Sequence, residues 1–227
     1  WRGEGLPIPD EFGWKVESMV PVGQGLKSSS ALSCAAFRAL NSCAWTGLSN
    51  SEIADLAAKS QLMSNCAITG SMDDNWASLE PGWKLVDPTM GASDSIIIQG
   101  TMDDSLSVIL CLRGQRSVEI SQTRFSEQHQ IFERSLASIM SGSTLDSLSS
   151  NGMAVSAATR DHEALGISNL CIASGAIASG ISGSGPAIAI VCFEDDTESI
   201  SAIIEDRGLL TIHTRFASNV SPIEEVS

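Results

Sequence analysis

The chain has no tyrosine, and aromatic residues make up only 5% of its 227 positions. Basic residues are also scarce. Thirteen Lys and Arg face 27 Asp and Glu, a formal net charge of −14. So acidic a surface lacks the positive field that draws nucleic acid to a protein, so no nucleic-acid partner is expected. Only three histidines occur, His129, His162 and His213, far apart and without a second ligand at helical spacing, so no histidine-based metal cluster is expected. Six cysteines are present, none paired as CxxC and most inside apolar runs. They read as reduced, buried thiols and not as a disulfide framework or zinc site. No run of 18 apolar residues occurs and no signal peptide is visible, so neither a membrane partner nor a spanning helix is expected, and the reading is of a cytoplasmic protein. Internal repeats and low-complexity linkers are missing too.

What remains describes an ordinary globular chain: 43% hydrophobic residues, with length enough for one large domain or two small ones. A weak boundary lies near Gly100 to Asp104. Helical periodicity predicts a helix from Ser28 to Ala44, closed by Gly47, apolar enough to be largely buried. A second helix follows in "LSNSEIADLAAKSQLMSN", with Ser49 or Ser51 as N-cap and Glu52 in its first turn. "AITGSMDDNWASLEPGW" reads as a loop. Strand character appears around Trp14 to Met19, Ser95 to Ile98 and Leu106 to Leu112. Further helices are expected over Ser126 to Met140, Leu145 to Ala158 and Glu163 to Ala173. "ASGISGSGPAIAIVCF" reads as two strands joined by a glycine turn, "TESISAIIEDRG" as a last helix and "LLTIHTRFAS" as a last strand. Helices and strands mix without regular βαβ alternation, so the class is α+β.

Chemistry concentrates in "PVGQGLKSSSALSCAAF". Its serines open a helix, whose first backbone N–H groups have no helical partner and whose dipole end is partly positive. Gly23 and Gly25 let the backbone bend toward a phosphate, Lys27 adds a full positive charge, and serine oxygens can donate hydrogen bonds or meet Mg²⁺. The stretch is not a Walker loop, because Leu26 precedes Lys27 where GxxxxGKS/T requires glycine. Nor is it the dinucleotide fingerprint, because Ser28 stands at the third glycine. An N-capping serine on an ordinary helix is the bland alternative.

The full pattern "PVGQGLKSSSA" resembles the second motif of the GHMP kinases, whose usual form is P-x-G-x-G-L-G-S-S-A-A. Pro21, Gly23, Gly25, Leu26, Ser28, Ser29 and Ala31 match, while Lys27 replaces a glycine, as in the GLKSSSA variant of archaeal shikimate kinases. "TGSMDD", from Thr69 to Asp74, is similar to the TGAFDD of that group and to the stretch carrying the family's catalytic aspartate. Asp73 is matched first and Asp74 second. "SGSGPA", from Ser182 to Ala187, is similar to SGTGPA, with Ser184 for threonine; Gly183 and Gly185 there would allow positive φ and close approach to Gly25.

The resemblance implies the α+β GHMP kinase fold: a ribosomal protein S5 domain 2-like N-terminal half over 1–104, carrying ATP, and a ferredoxin-like half over 105–227. It implies ATP and Mg²⁺ as cofactor and metal. Pro21, Gly23, Gln24, Gly25, Leu26, Lys27, Ser28, Ser29 and Ser30 with Gly183, Ser184 and Gly185 would line the phosphates, and Ser29 would reach the metal. Asp73 or Asp74 would serve the acceptor, which is expected to be the 3-hydroxyl of shikimate, on the route to aromatic amino acids. Homoserine or mevalonate as acceptor, or a non-catalytic nucleotide-binding homologue, stay open. Lys27, Lys59 and Arg38 are candidates for the acceptor's carboxylate, with Lys59 also readable as a solvated face residue. Two departures stand out: no carboxylate lies in "AAKSQLMSN", where several family members carry a metal glutamate, and only 20 residues, beginning at Trp1, precede Pro21. The chain therefore reads as lacking part of the family's N-terminal segment.

Overall fold

The serine-led run forms α1 (Ser28–Ala44) of the computed structural model, which describes residues 1–66, 70–115 and 120–217. Two compact units result, one made mainly of Trp1–Val20 and Lys27–Met102, the other of Pro21–Leu26 and Asp103–Phe216.

In the first unit α1 is followed by α2 (Asn50–Met63) and α3 (Asp73–Leu79), then β1 (Trp83–Val86), the short α4 (Ala92–Ser95) and β2 (Ile96–Gly100). α2 begins with a capping box: the Glu52 amide donates to the Ser49 hydroxyl while the Ser49 amide donates to the Glu52 carboxylate. Its buried stripe runs Ile53, Ala54, Ala57, Ala58 and Gln61, and packs with Cys34, Met72, Trp76 and Leu79. β1 and β2 form an antiparallel pair. Trp1 stacks on Phe37 at 6.0 Å between ring centroids.

Four expectations are corrected here. Only Ser30, Cys34 and Leu40 of α1 are buried, and Leu32 is half exposed. Apolar periodicity counts residues but not neighbours, and α2 and α3 cover one side of this helix. α1 stops at Trp45, in the left-handed region at φ 53, and not at Gly47, because the Asn41 side chain accepts from the Leu48 amide and the Thr46 hydroxyl and turns the chain early. The supposed loop after α2 holds α3 and ends on the first residue of β1, since Trp76 and Leu79 find a core that the tertiary structure supplies. Residues 14 to 19 form no strand.

The second unit is built on β3 (Ser107–Leu112), α5 (Gln122–Glu127), α6 (His129–Met140), α7 (Thr144–Thr159), α8 (His162–Ala173), β4 (Ala178–Ile181), β5 (Ile188–Cys192), α9 (Thr197–Glu205) and β6 (Leu210–Arg215). Its sheet has the order β4-β5-β3-β6, with every pairing antiparallel. The period-2 alternation of β3 divides its side chains. Ile109 and Cys111 join a core with α8 and α9, whereas Val108 packs with Val191 and Ala178. α7 lies so close to β4 that a Cβ on Gly152 would stand 2.4 Å from the Gly180 Cα. All six cysteines are free thiols, with Cys43 and Cys66 exposed and the other four buried. Burial pushes the Cys34, Cys111 and Cys171 thiols up to about 11, which keeps them protonated and unreactive. Among the described residues no helix is long and apolar enough to cross a membrane.

Candidate active site

The loop and the helix it feeds fall on either side of the junction at Leu26 and Lys27. In the second unit, Gly23 and Gly25 both hold φ +77, in the left-handed region that glycine adopts without strain. The turn between β4 and β5 has Gly183 at φ 56 and Gly185 at φ 75. The two turns touch at Gly25. A Cβ there would meet the carbonyl oxygens of Ser182 and Gly185, each at 2.6 Å. The Ser182 hydroxyl donates to the Gly25 carbonyl at 3.0 Å, and the Ala187 amide donates to the Gln24 carbonyl at 3.0 Å. The Gly185–Pro186 peptide is cis. Pro21, Gln24, Leu26 and Ser184 are half-buried in this unit, Gly185 is buried and Gly183 exposed.

In the first unit Lys27 is the N-cap of α1, at φ 58 and ψ 33. This is the position where the related motif usually has glycine, and the backbone explains that preference. Its side chain makes no capping bond to the helix. Instead Nζ reaches the Asp74 carboxylate at 2.5 Å, across 47 positions of sequence. Asp74 lies in the first turn of α3, where the helix dipole favours a negative charge. Burial raises the Asp74 carboxyl above its usual 3.8, the Asp73 charge adds to the rise, and the Lys27 ammonium opposes both. Asp73, the first residue of α3, is exposed.

The three serines part company. Ser28 and Ser29 are half-buried at the first two positions of α1. Ser30 does not join them: its hydroxyl is buried and donates to Gln61 Oε1 at 3.1 Å, and its amide donates to the Lys27 carbonyl. Gln61 Nε2 donates in turn to Asn75 Oδ1 at 2.7 Å, and Asn75 Nδ2 to the Ala54 carbonyl. This buried chain of amides locks α3 against α1 and α2 and so sets where Asp74 stands. Sequence reasoning missed Gln61 and Asn75. A glutamine continuing the apolar stripe of α2 was the available signal, since a buried polar group requires a partner.

Of the cations considered for an acceptor carboxylate, Lys27 is bound to Asp74, the exposed Lys59 pairs with Glu4, and Arg38 is exposed. Thr69 lies outside the described residues. Among the described residues no group of three or more His, Cys, Asp or Glu could hold a metal ion.

The second unit thus carries two left-handed glycines, and the first a helix start without a side-chain cap and a half-buried lysine–aspartate pair. Residues 4–82 match the family model described as GHMP kinases N terminal domain. Over 199 residues the chain is 29% identical to a shikimate kinase of Methanobrevibacter smithii, covering 84% of this chain and 67% of that protein. Its fold is similar to that of a homoserine kinase from Cytophaga hutchinsonii (TM-score 0.62, 16% identity, 88% of this chain and 68% of that one). It is also similar to L. major mevalonate kinase in complex with R-mevalonate (TM-score 0.59, 13% identity, 85% and 66%). The chain is thus similar to the GHMP kinases in sequence over residues 4–82 and has the α+β fold of these kinases. It spans about two thirds of the length of these relatives.

Proposed function

We propose that the chain transfers the γ-phosphoryl group of ATP to the 3-hydroxyl of shikimate in the cytoplasm, with residues 1–104 as its ATP-binding half. The observation that carries this reading is the Lys27–Asp74 pair at the head of α1. A carboxylate with a raised pKa beside the helix start is suited to take a hydroxyl proton. Asp74 has this role in the proposal ahead of the exposed Asp73, which raises the basicity of its neighbour. The acceptor oxygen forms a bond to the γ-phosphorus as the bond from that phosphorus to the ADP oxygen breaks, and Asp74 takes the proton. The Lys27 ammonium favours the ionised carboxylate against burial and Asp73, and carries charge that is otherwise scarce in this acidic chain.

In the second unit the backbone of Gly23 to Gly25, shaped for close approach, is suited to phosphate oxygens, and in the first unit the free-ended first turn of α1 at Ser28 and Ser29 is suited to them by itself. Gly185 and Ser182 support that loop by contact at Gly25, and Gly183 and Ser184 complete the same turn between them. In an oxygen-rich, carboxylate-poor set of this kind the Ser29 hydroxyl and one aspartate would hold Mg²⁺ beside the nucleotide, and the ion would offset negative charge on the phosphates.

Shikimate is favoured by the Methanobrevibacter relative and by Lys27 at its unusual position. The homoserine and mevalonate kinases of the same fold support the coarser reading equally. An ADP-release assay with shikimate, homoserine and mevalonate decides between them. Turnover with shikimate at least tenfold above the other two is expected, and ADP release with none of the three would overturn the kinase reading.

A further inference from the structure

Arg113, the residue after β3, is 7% exposed in its side chain and lies among partners from distant parts of the second unit. Nη1 and Nη2 donate to the two Asp161 carboxylate oxygens at 2.7 and 2.8 Å, a bidentate pair. Nη1 also donates to the Pro186 carbonyl at 3.2 Å, and Nη2 to the exposed Glu163 at 2.6 Å. Asp161 is itself fixed, because its carboxylate accepts from the Ala164 amide as the N-cap of α8. The guanidinium therefore joins the head of a long helix to the last third of the glycine turn. The residue after Pro186 donates its amide to the Gln24 carbonyl, and the turn's Ser182 hydroxyl donates to the Gly25 carbonyl.

We propose that Arg113 is a positioning residue for nucleotide binding: anchored by Asp161, it holds the turn at residues 182–187, and the turn holds the backbone of Gln24 and Gly25 in the form that receives phosphate. This rests on the nucleotide reading above and adds to it. Arg113 is no more than an ion pair if its purpose is general stability. Lysine keeps the charge but cannot make the planar fork and reach Pro186 together. A strained or loosened loop would then bind phosphate poorly while the acceptor side is unaffected.

The test compares the parent chain with Arg113→Lys, Asp161→Asn and, as control, Arg215→Lys, which alters another ion-paired arginine of the same unit. Three quantities are read: the dissociation constant of a fluorescent N-methylanthraniloyl ATP with Mg²⁺, the KM for the acceptor, and amide hydrogen exchange across the chain. Arg113→Lys is expected to weaken the ATP analogue about tenfold, about 1.4 kcal/mol, with acceptor KM within about twofold, since only a phosphate-side loss is proposed. Exchange should rise at residues 22–26 and 182–187 and nowhere else. Asp161→Asn, which retains an oxygen for the Ala164 amide, should shift the same readings in the same direction and serves if the lysine variant does not fold. Unchanged exchange and affinity in a folded variant overturn the proposal. So does a rise in exchange spread evenly over the unit, or an equal loss in Arg215→Lys. If the parent itself binds no ATP analogue, the kinase reading fails, and the exchange pattern alone still decides whether Arg113 holds the loop.

Discussion

Replacing Lys27 by glycine and by alanine separates its backbone from its charge. At φ 58 and ψ 33, a residue with a Cβ stands about 1 kcal/mol above glycine. Lys27→Gly removes that cost. It also removes the contact to Asp74, whose partners are 39% and 25% exposed, so solvent screens the pair to at most about 1 kcal/mol of stability. The two effects are opposite in sign and similar in size. Lys27→Gly should therefore unfold in urea within about 1 kcal/mol of the parent, while Lys27→Ala, which keeps the backbone cost, should fall about 1 kcal/mol below Lys27→Gly. Activity should respond differently. Burial and Asp73 raise the Asp74 carboxyl, and the ammonium is what opposes them. Without it the carboxyl rises further, and a base that must be ionised then works only at higher pH. Both variants should show the acid limb of the pH–rate profile displaced upward, measured by coupled ADP release. Alanine proving as stable as glycine would refute the backbone argument, and an unmoved acid limb in both would refute the link from Lys27 to Asp74.

Asp74→Asn should lower turnover by about 10²–10⁴-fold, the usual loss on removing a general base, whereas Asp73→Asn should cost far less. The folded chain holds the Asp74 proton more tightly than the unfolded chain does, so this group's stabilising effect is complete below 3.8 and is lost as pH rises through its raised value. Urea midpoints measured against pH should accordingly be flatter over that window in Asp74→Asn. Gly25→Ala places a Cβ 2.6 Å from two carbonyl oxygens at φ +77 and should destabilise the second unit by about 2–4 kcal/mol; an unchanged urea midpoint would mean that the turns do not meet there. Ser29→Ala should raise the KM for Mg·ATP roughly tenfold, the size of one lost hydrogen bond or metal oxygen, with thermal stability unaltered.

Features set by bonds within a few residues were legible in the sequence. The serine N-cap of α2, left between Ser49 and Ser51, the periodicity of α2 and α8, the β4–β5 hairpin and the helical run from Ser28 to Ala44 all depend on near neighbours along the chain. So does the pattern of glycines, because positive φ is a property of a single residue. α3 was not legible, since a seven-residue helix gains its stability from the core around Trp76 and Leu79 and not from its own propensity. The exposure of α1 was misjudged for the same reason, as apolar spacing does not say how many neighbours arrive.

The residue types and spacing of the glycine–serine loop thus came from the chain alone, as did the two candidate aspartates. Which aspartate meets Lys27, which serine turns inward to Gln61, and that Arg113 grips Pro186 depended on contacts across 31 to 73 positions. Packing and sheet order bring such pairs together, and no local pattern encodes them.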